Sequence, residues 1–141
     1  MTPRAVLDTN VIVSGLGWGG SSAAILDAVS DGQLVLVMSE PLIDELRRVL
    51  AYPKLAKVID GGAQLADLVA ASSVVVAPTR TLAVVRDESD NRVLEAAVEG
   101  AADYIVSGDA DLLVLGSFND VPIMAPAEFA AKVLGRGSGE P

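Results

Sequence analysis

Short apolar runs alternate with stretches of helical periodicity along the whole chain. Ala5-Val6-Leu7 is followed by a helix through Ser22–Ser30, then by the apolar run Leu34–Met38. Ser39 is placed as the N-cap of a helix over Glu40–Ala51, with Pro41 tolerated in its first turn. A further helix is expected over Ala63–Ala71, then the triplet Val74-Val75-Val76 as a strand. A helix beginning near Asp90, capped by Asp90 or Ser89, stops at Gly100, and Tyr104-Ile105-Val106 reads as a buried strand. Val121–Met124 is the last strand and Ala127–Leu134 the last helix. The β-α unit recurs four or five times, which predicts a three-layer α/β/α sandwich with a central, mainly parallel sheet. Strands this apolar on successive residues agree with a sheet covered by helices on each side. The domain is expected over residues 1–134, with Gly135–Pro141 a glycine-rich tail that frays.

Composition bounds the chemistry. A chain of 141 residues, 51% hydrophobic and 21% charged, holds one globular domain with a core of its own. Its apolar runs are far shorter than a bilayer span and no basic-then-apolar leader opens it, so the expectation is a cytoplasmic protein with no membrane partner. There is no His and no Cys. Imidazole bases, thiol nucleophiles and the usual zinc ligands are therefore excluded. What remains is oxygen chemistry, suited to a hard cation such as magnesium or manganese. A net charge of −9 argues against nucleic-acid binding over the whole surface. Arg47, Arg48, Lys54 and Lys57 are the one basic concentration, and a solvated helix face is their ordinary reading.

Acidic residues fall where a parallel sheet places its ligands, at the carboxyl ends of strands. Asp8 ends the first strand, in Val6-Leu7-Asp8-Thr9-Asn10, and Asp109 follows Tyr104–Gly108, with Asp111 two residues on. Each alone reads as a helix N-cap or turn aspartate. Two strands ending the same way point further. At ~100° per residue, Leu42, Ile43, Leu46, Val49 and Leu50 form a buried stripe. Glu45 flanks that stripe, and Asp44 points toward solvent. Asp90 lies three and four residues before Val93 and Leu94, on the apolar face of its helix. Carboxylates gathered this closely repel one another unless a divalent cation neutralises them. Phosphodiester hydrolysis is the chemistry such a site supports without histidine. Ser107 is a possible nucleophile by residue type, but no base suited to activating it is evident.

These segments resemble the PIN domain, a family of metal-dependent ribonucleases. The likeness runs from Val6 to about Phe129 and rests on Val6–Asn10, Glu45 in the Leu42–Leu46 helix, Asp87–Glu95, and Ser107–Leu112. The resemblance implies Asp8, Glu45, Asp90 and Asp109 as catalytic acids. Asp8, Asp90 and Asp109 would ligate magnesium or manganese, with Asp111 as an accessory metal acid and Thr9, Asn10 and Ser107 as polar groups of the site. It also implies an RNA substrate, a homodimer, and a VapC-like toxin inhibited by a small antitoxin protein.

Two other readings compete. Gly15-Leu16-Gly17-Trp18-Gly19-Gly20 fits the G-x-G-x-x-G pattern of a dinucleotide-binding Rossmann-like domain, with Glu40 where a ribose-binding acid would fall. Trp18 is bulky where a pyrophosphate must approach the backbone, and the aspartates stay unexplained. A non-catalytic acidic α/β binding module, receiver-like or a degenerate nuclease, is the other. A receiver would want a lysine near the last strand, and Val121–Ala125 has none.

Overall fold

The computed structural model describes residues 1–136. Its strands are β1 (Arg4–Leu7), β2 (Val35–Ser39), β3 (Val74–Val76), β4 (Tyr104–Val106), β5 (Ser117–Phe118) and β6 (Val121–Met124). Its helices are α1 (Thr9–Gly17), α2 (Gly20–Ser30), α3 (Glu40–Leu50), α4 (Pro53–Ala56), α5 (Gly62–Ala71), α6 (Glu88–Glu99), α7 (Ala110–Leu113) and α8 (Pro126–Lys132). The six strands form one sheet in the order β3-β2-β1-β4-β6-β5. Every pairing is parallel except the antiparallel β5–β6 pair at one edge. This is the mainly parallel α/β architecture that the alternating pattern predicts.

Ala5, Val6 and Leu7 are all buried in succession, as are Leu36, Val37 and Met38. Side chains alternate between faces along a strand, so consecutive burial means both faces of the central strands are covered. Helix α6 packs on β1, β2 and β4, while α2 packs against α1 and α8. At the outer edge β3 is open, with Val74 and Val75 exposed.

The strand order sets the position of a site. From β1 the chain steps outward through β2 to β3, then returns to lay β4 on the other side of β1. That reversal leaves a crevice beyond the carboxyl ends of β1 and β4, which pair with Leu7 opposite Val106.

Several elements depart from the sequence pattern. Helix α1 was not expected, because Val11-Ile12-Val13 is a β-branched run of modest helix propensity. Asp8 starts it as N-cap, accepting from the Val11 amide at 3.0 Å, and all three apolar residues are buried. Ser39 occupies the N-cap position of α3 but makes no capping bond, and its Oγ is buried without a partner. Pro41 stands at the second helical position and has no N–H to offer. Helix α6 begins at Glu88 rather than Asp90, and its N-cap is Asp87, which accepts from the Ser89 amide at 2.8 Å. The expected tail lies outside the described residues from 137 onward; within them, Arg136 donates to the Ala24 carbonyl, Asp31 and Gln33.

The glycine run is a helix junction. Gly15 and Gly17 lie inside α1, so no glycine loop joins a strand to a helix. A Cβ on Gly15 would stand 2.8 Å from the Ser22 carbonyl oxygen, and one on Gly17 3.0 Å from the Ile59 side chain. The missing Cβ at Gly15 lets α1 and α2 meet closely across a 95° bend, and the one at Gly17 admits Ile59. Close packing at Gly15 and Gly17, and positive φ at Gly19 and Gly20, thus account for the pattern that resembled a dinucleotide fingerprint.

Candidate active site

Five carboxylates reach the crevice, three from helix N-caps and two from within helices. Asp8 and Asp109 stand just beyond β1 and β4, each as the N-cap of the helix that follows. Asp109 accepts from the Asp111 amide at 2.8 Å. Capping and membership of the cleft are therefore not alternatives at these positions. Glu45 comes from α3, whose buried face is Leu42, Ile43, Leu46 and Leu50. It is half-buried beside that face, whereas Asp44 is exposed and lies 3.6 Å from Arg47. Asp90 is the third residue of α6 and is buried, and Asp87 precedes it by one turn.

Together Asp8, Thr9, Asn10, Glu45, Asp87, Ser89, Asp90 and Asp109 line a cleft of about 70 Å³, floored by Val49 and Val93. Polar groups cross-brace it. Thr9 Oγ1 donates to Glu45 Oε1 at 2.5 Å, tying the start of α1 to α3. Ser107 is wholly buried; its Oγ donates to Asp8 Oδ2 and accepts from the Asp109 amide at 2.9 Å. That hydroxyl couples the two strand-end aspartates, and its proton is committed to a carboxylate. Its use as a nucleophile is not supported.

Asp111 is not brought into the cleft. Its carboxylate receives two bonds from the Arg86 guanidinium, both 3.1 Å, on the outer side of α7. The residue the sequence reading passed over is Asp87. Oxygens of Asp87, Asp90 and Asp109 all lie within 4.8 Å of one another. Starting α6 at Glu88 would have exposed the signal. An aspartate at the N-cap and another three residues on share one face of the first turn.

The electrostatics follow from burial and crowding. Asp90 is pushed up to about 7, first by burial, then by the neighbouring carboxylates of Asp109, Asp87 and Asp8. Asp8 is also raised, chiefly by burial; bonds from Ser107 and the Val11 amide oppose the rise, and Asp109 and Glu45 add to it. Asp90 Oδ2 is buried with no hydrogen-bond partner. An orphaned carboxylate oxygen among other carboxylates is what a hard divalent cation would satisfy. The donor set is all oxygen, so these residues fit magnesium or manganese.

An acidic cleft at the switch point of a mainly parallel sheet defines the class of domain, and the sequence comparisons agree with it. The PIN domain family model matches residues 4–111, and the chain belongs to that family. It is 32% identical over 120 residues to the uncharacterized protein MJ1680 of Methanocaldococcus jannaschii, covering 82% of this chain and 77% of that protein. Its fold is similar to a chain in the crystal structure of VapBC2 from Rickettsia felis bound to a promoter DNA fragment. There the TM-score is 0.59 at 11% identity, covering 86% of this chain and 98% of that one. A chain of FitAcB from Neisseria gonorrhoeae gives 0.53 at 19% identity, covering 86% and 97%.

Proposed function

We propose that this protein is a magnesium- or manganese-dependent endoribonuclease of the cytoplasm, the toxin of a toxin–antitoxin pair, working as a homodimer. The observation that carries the nuclease reading is the trio Asp87, Asp90 and Asp109, together with the buried, unpartnered Oδ2 of Asp90. These three would hold the cation, with Asp8 alongside. Bound there, a divalent cation lowers the pKa of water and offsets charge developing on a phosphate. Glu45 has one carboxylate oxygen held by Thr9. In this reading its other oxygen takes a proton from the attacking water. Ser107 keeps Asp8 and the Asp109 backbone in register, so the acids need no rearrangement as charge develops.

A groove of about 320 Å³ adjoins the cleft, sharing Glu45 and Ser89 with it and adding Arg48 and Arg92 alongside Asp44 and Glu88. It supplies cationic groups beside the acids, where the phosphates flanking the cut bond would pass. The toxin and antitoxin roles rest on the fold likeness to chains of VapBC2 and FitAcB.

The test is cleavage of a single-stranded RNA in magnesium, in manganese and in EDTA. Cleavage that needs the ion and leaves 5′-phosphate ends is expected, since water attacks in line and the 3′ oxygen departs. Activity surviving EDTA, or 2′,3′-cyclic phosphate products, overturns the reading. Co-purification with a small protein that silences the cleavage tests the antitoxin assignment.

A further inference from the structure

Between Val76 of β3 and Glu88 of α6 lie eleven residues, 77–87, without regular structure, and they end on Asp87. A stretch of that length inside a compact domain needs something to hold it. One stripe of α6 does so. Asn91, Glu95 and Glu99 follow one another at four-residue intervals, on one side of the helix and over about 12 Å of its length. Glu99 Oε1 accepts from the Thr79 amide at 3.2 Å. Glu95 Oε2 accepts from the Leu82 amide at 2.7 Å. Asn91 Oδ1 accepts from the Val84 and Val85 amides at 2.9 and 3.0 Å, while its Nδ2 donates to the Val85 carbonyl at 2.9 Å. The segment therefore runs back along α6, from its C-terminal end to its N-terminus, fastened once per turn. The last fastening is two residues before Asp87.

Asn91 and Glu95 are buried polar side chains, and neither lines the acidic cleft. Their bonds go to backbone whose path decides where Asp87 arrives. We infer that Asn91, backed by Glu95, is a positioning residue: it sets the reach of the Asp87 carboxylate and so the affinity of the site for a divalent cation. The inference rests on the metal-dependent reading above. Asn91 is suited to the task because an amide both accepts and donates, matching two N–H groups and one carbonyl at once. Alanine there leaves three backbone groups without partners and frees the end of the segment.

Manganese binding is measured by calorimetry on wild type, Asn91→Ala, Asp87→Asn and the double variant, with folding followed by circular dichroism. Asn91→Ala is expected to weaken manganese binding about 10- to 100-fold, the usual range for losing a group that orients a ligand. In the Asp87→Asn background the same change should cost almost nothing, because its effect passes through Asp87. Affinity unchanged in Asn91→Ala, or a loss that simply adds to that of Asp87→Asn, overturns the inference alone. Wild type that does not bind manganese overturns it together with the metal-dependent reading. A second measurement needs no variant. Coupling is reciprocal, so manganese must slow hydrogen exchange at the Val84 and Val85 amides if those bonds govern its affinity. Exchange indifferent to manganese at both amides also overturns it, whether or not Asn91→Ala folds.

Discussion

Two helices send carboxylates into the same cleft by different means. On α3 the aim of Glu45 is a property of the helix itself: Leu42, Ile43, Leu46 and Leu50 bury one face, and the helical phase fixes Glu45 at its flank. At the entrance of α6 the phase fixes Asp90 in the same way, but Asp87 sits outside the helix and takes its position from the preceding segment. That segment is held by side-chain-to-backbone bonds from Asn91, Glu95 and Glu99. The lesson is that a carboxylate on a regular helix is as rigid as the core beneath it. One on a cap is as rigid as the bonds that hold the approach to it.

The largest effect should come from the buried member of the pair. Asp90→Asn is expected to lower kcat by about 10²–10³ or more, as losses of groups acting on the developing charge do. Its effect on stability should run the other way. Asp90 titrates near 7 in the folded protein and near 3.8 when unfolded, so the fold holds a proton that the unfolded chain has released. In EDTA, the contribution of Asp90 to stability should be highest below about pH 4 and fall as pH rises to 7, then level off. The change is at most a few kcal/mol. Asp90→Asn should flatten that slope and raise the melting temperature at pH 8, and manganese should flatten it in wild type. Melting curves of wild type and Asp90→Asn across pH 4–8 check this; a stability difference that moves in favour of wild type as pH rises over that interval would reverse the sign and discard the buried-acid account.

Next in size is the test of helical phase. Glu45→Gln should lower kcat by about 10², while Asp44→Asn, one residue away, should keep it within about twofold. Asp44 has a side chain 65% exposed and, among the described residues, pairs with Arg47 alone at 3.6 Å, a contact worth about 0–1 kcal/mol. Both variants are assayed in manganese on one RNA. Dead Asp44→Asn with active Glu45→Gln would break the comparison at its better-understood end.

Much of this was legible in the sequence wherever a period carried it. The β-α alternation gave the parallel sheet, the phase of α3 separated Glu45 from Asp44, and two strands ending in aspartate pointed to one edge. The illegible parts depend on contacts distant in sequence. Helix α1 exists because an aspartate caps a β-branched run that the core then buries, which no local propensity reports. Asp87 is hidden in the sequence because the apolar period starts α6 two residues late, and helix ends are where periodicity is weakest. Asp111 looked like a ligand because it follows Asp109 by two, but a short helix turns it outward to Arg86.

A smaller effect should separate the two helices again. Arg48 projects from α3 and Arg92 from α6 into one groove. Arg92 is tied to Glu95 at 3.0 Å and to the Leu82 carbonyl, whereas Arg48 is exposed with no ion pair among the described residues. Arg48→Ala should raise KM several-fold with kcat unchanged. It should also reduce the salt slope of RNA binding by about 0.7, the share of one single-strand phosphate contact. An unchanged slope would remove RNA from that groove.

The smallest effect expected is that of Asp111→Asn, and it bears on the less legible end of the comparison. Asp111 and Asp109 are chemically alike and two residues apart, yet only Asp109 shares the cleft with Asp87 and Asp90. Asp111 instead receives Arg86, whose side chain is 88% exposed, at the residue immediately before Asp87. The pair adds a further tether to the segment that Asn91, Glu95 and Glu99 hold, but in water, where such bridges contribute about 0–1 kcal/mol. Loss of that much corresponds to no more than about fivefold in an equilibrium. Asp111→Asn should therefore lower manganese affinity less than about fivefold, with kcat nearly unchanged, and high salt applied to wild type should reproduce the same small loss. Asp109→Asn, run beside it, should lose cleavage outright. If Asp111→Asn is as inactive as Asp109→Asn, the carboxylate swings inward when the cation binds, and Asp111 regains the ligand role that its spacing suggested.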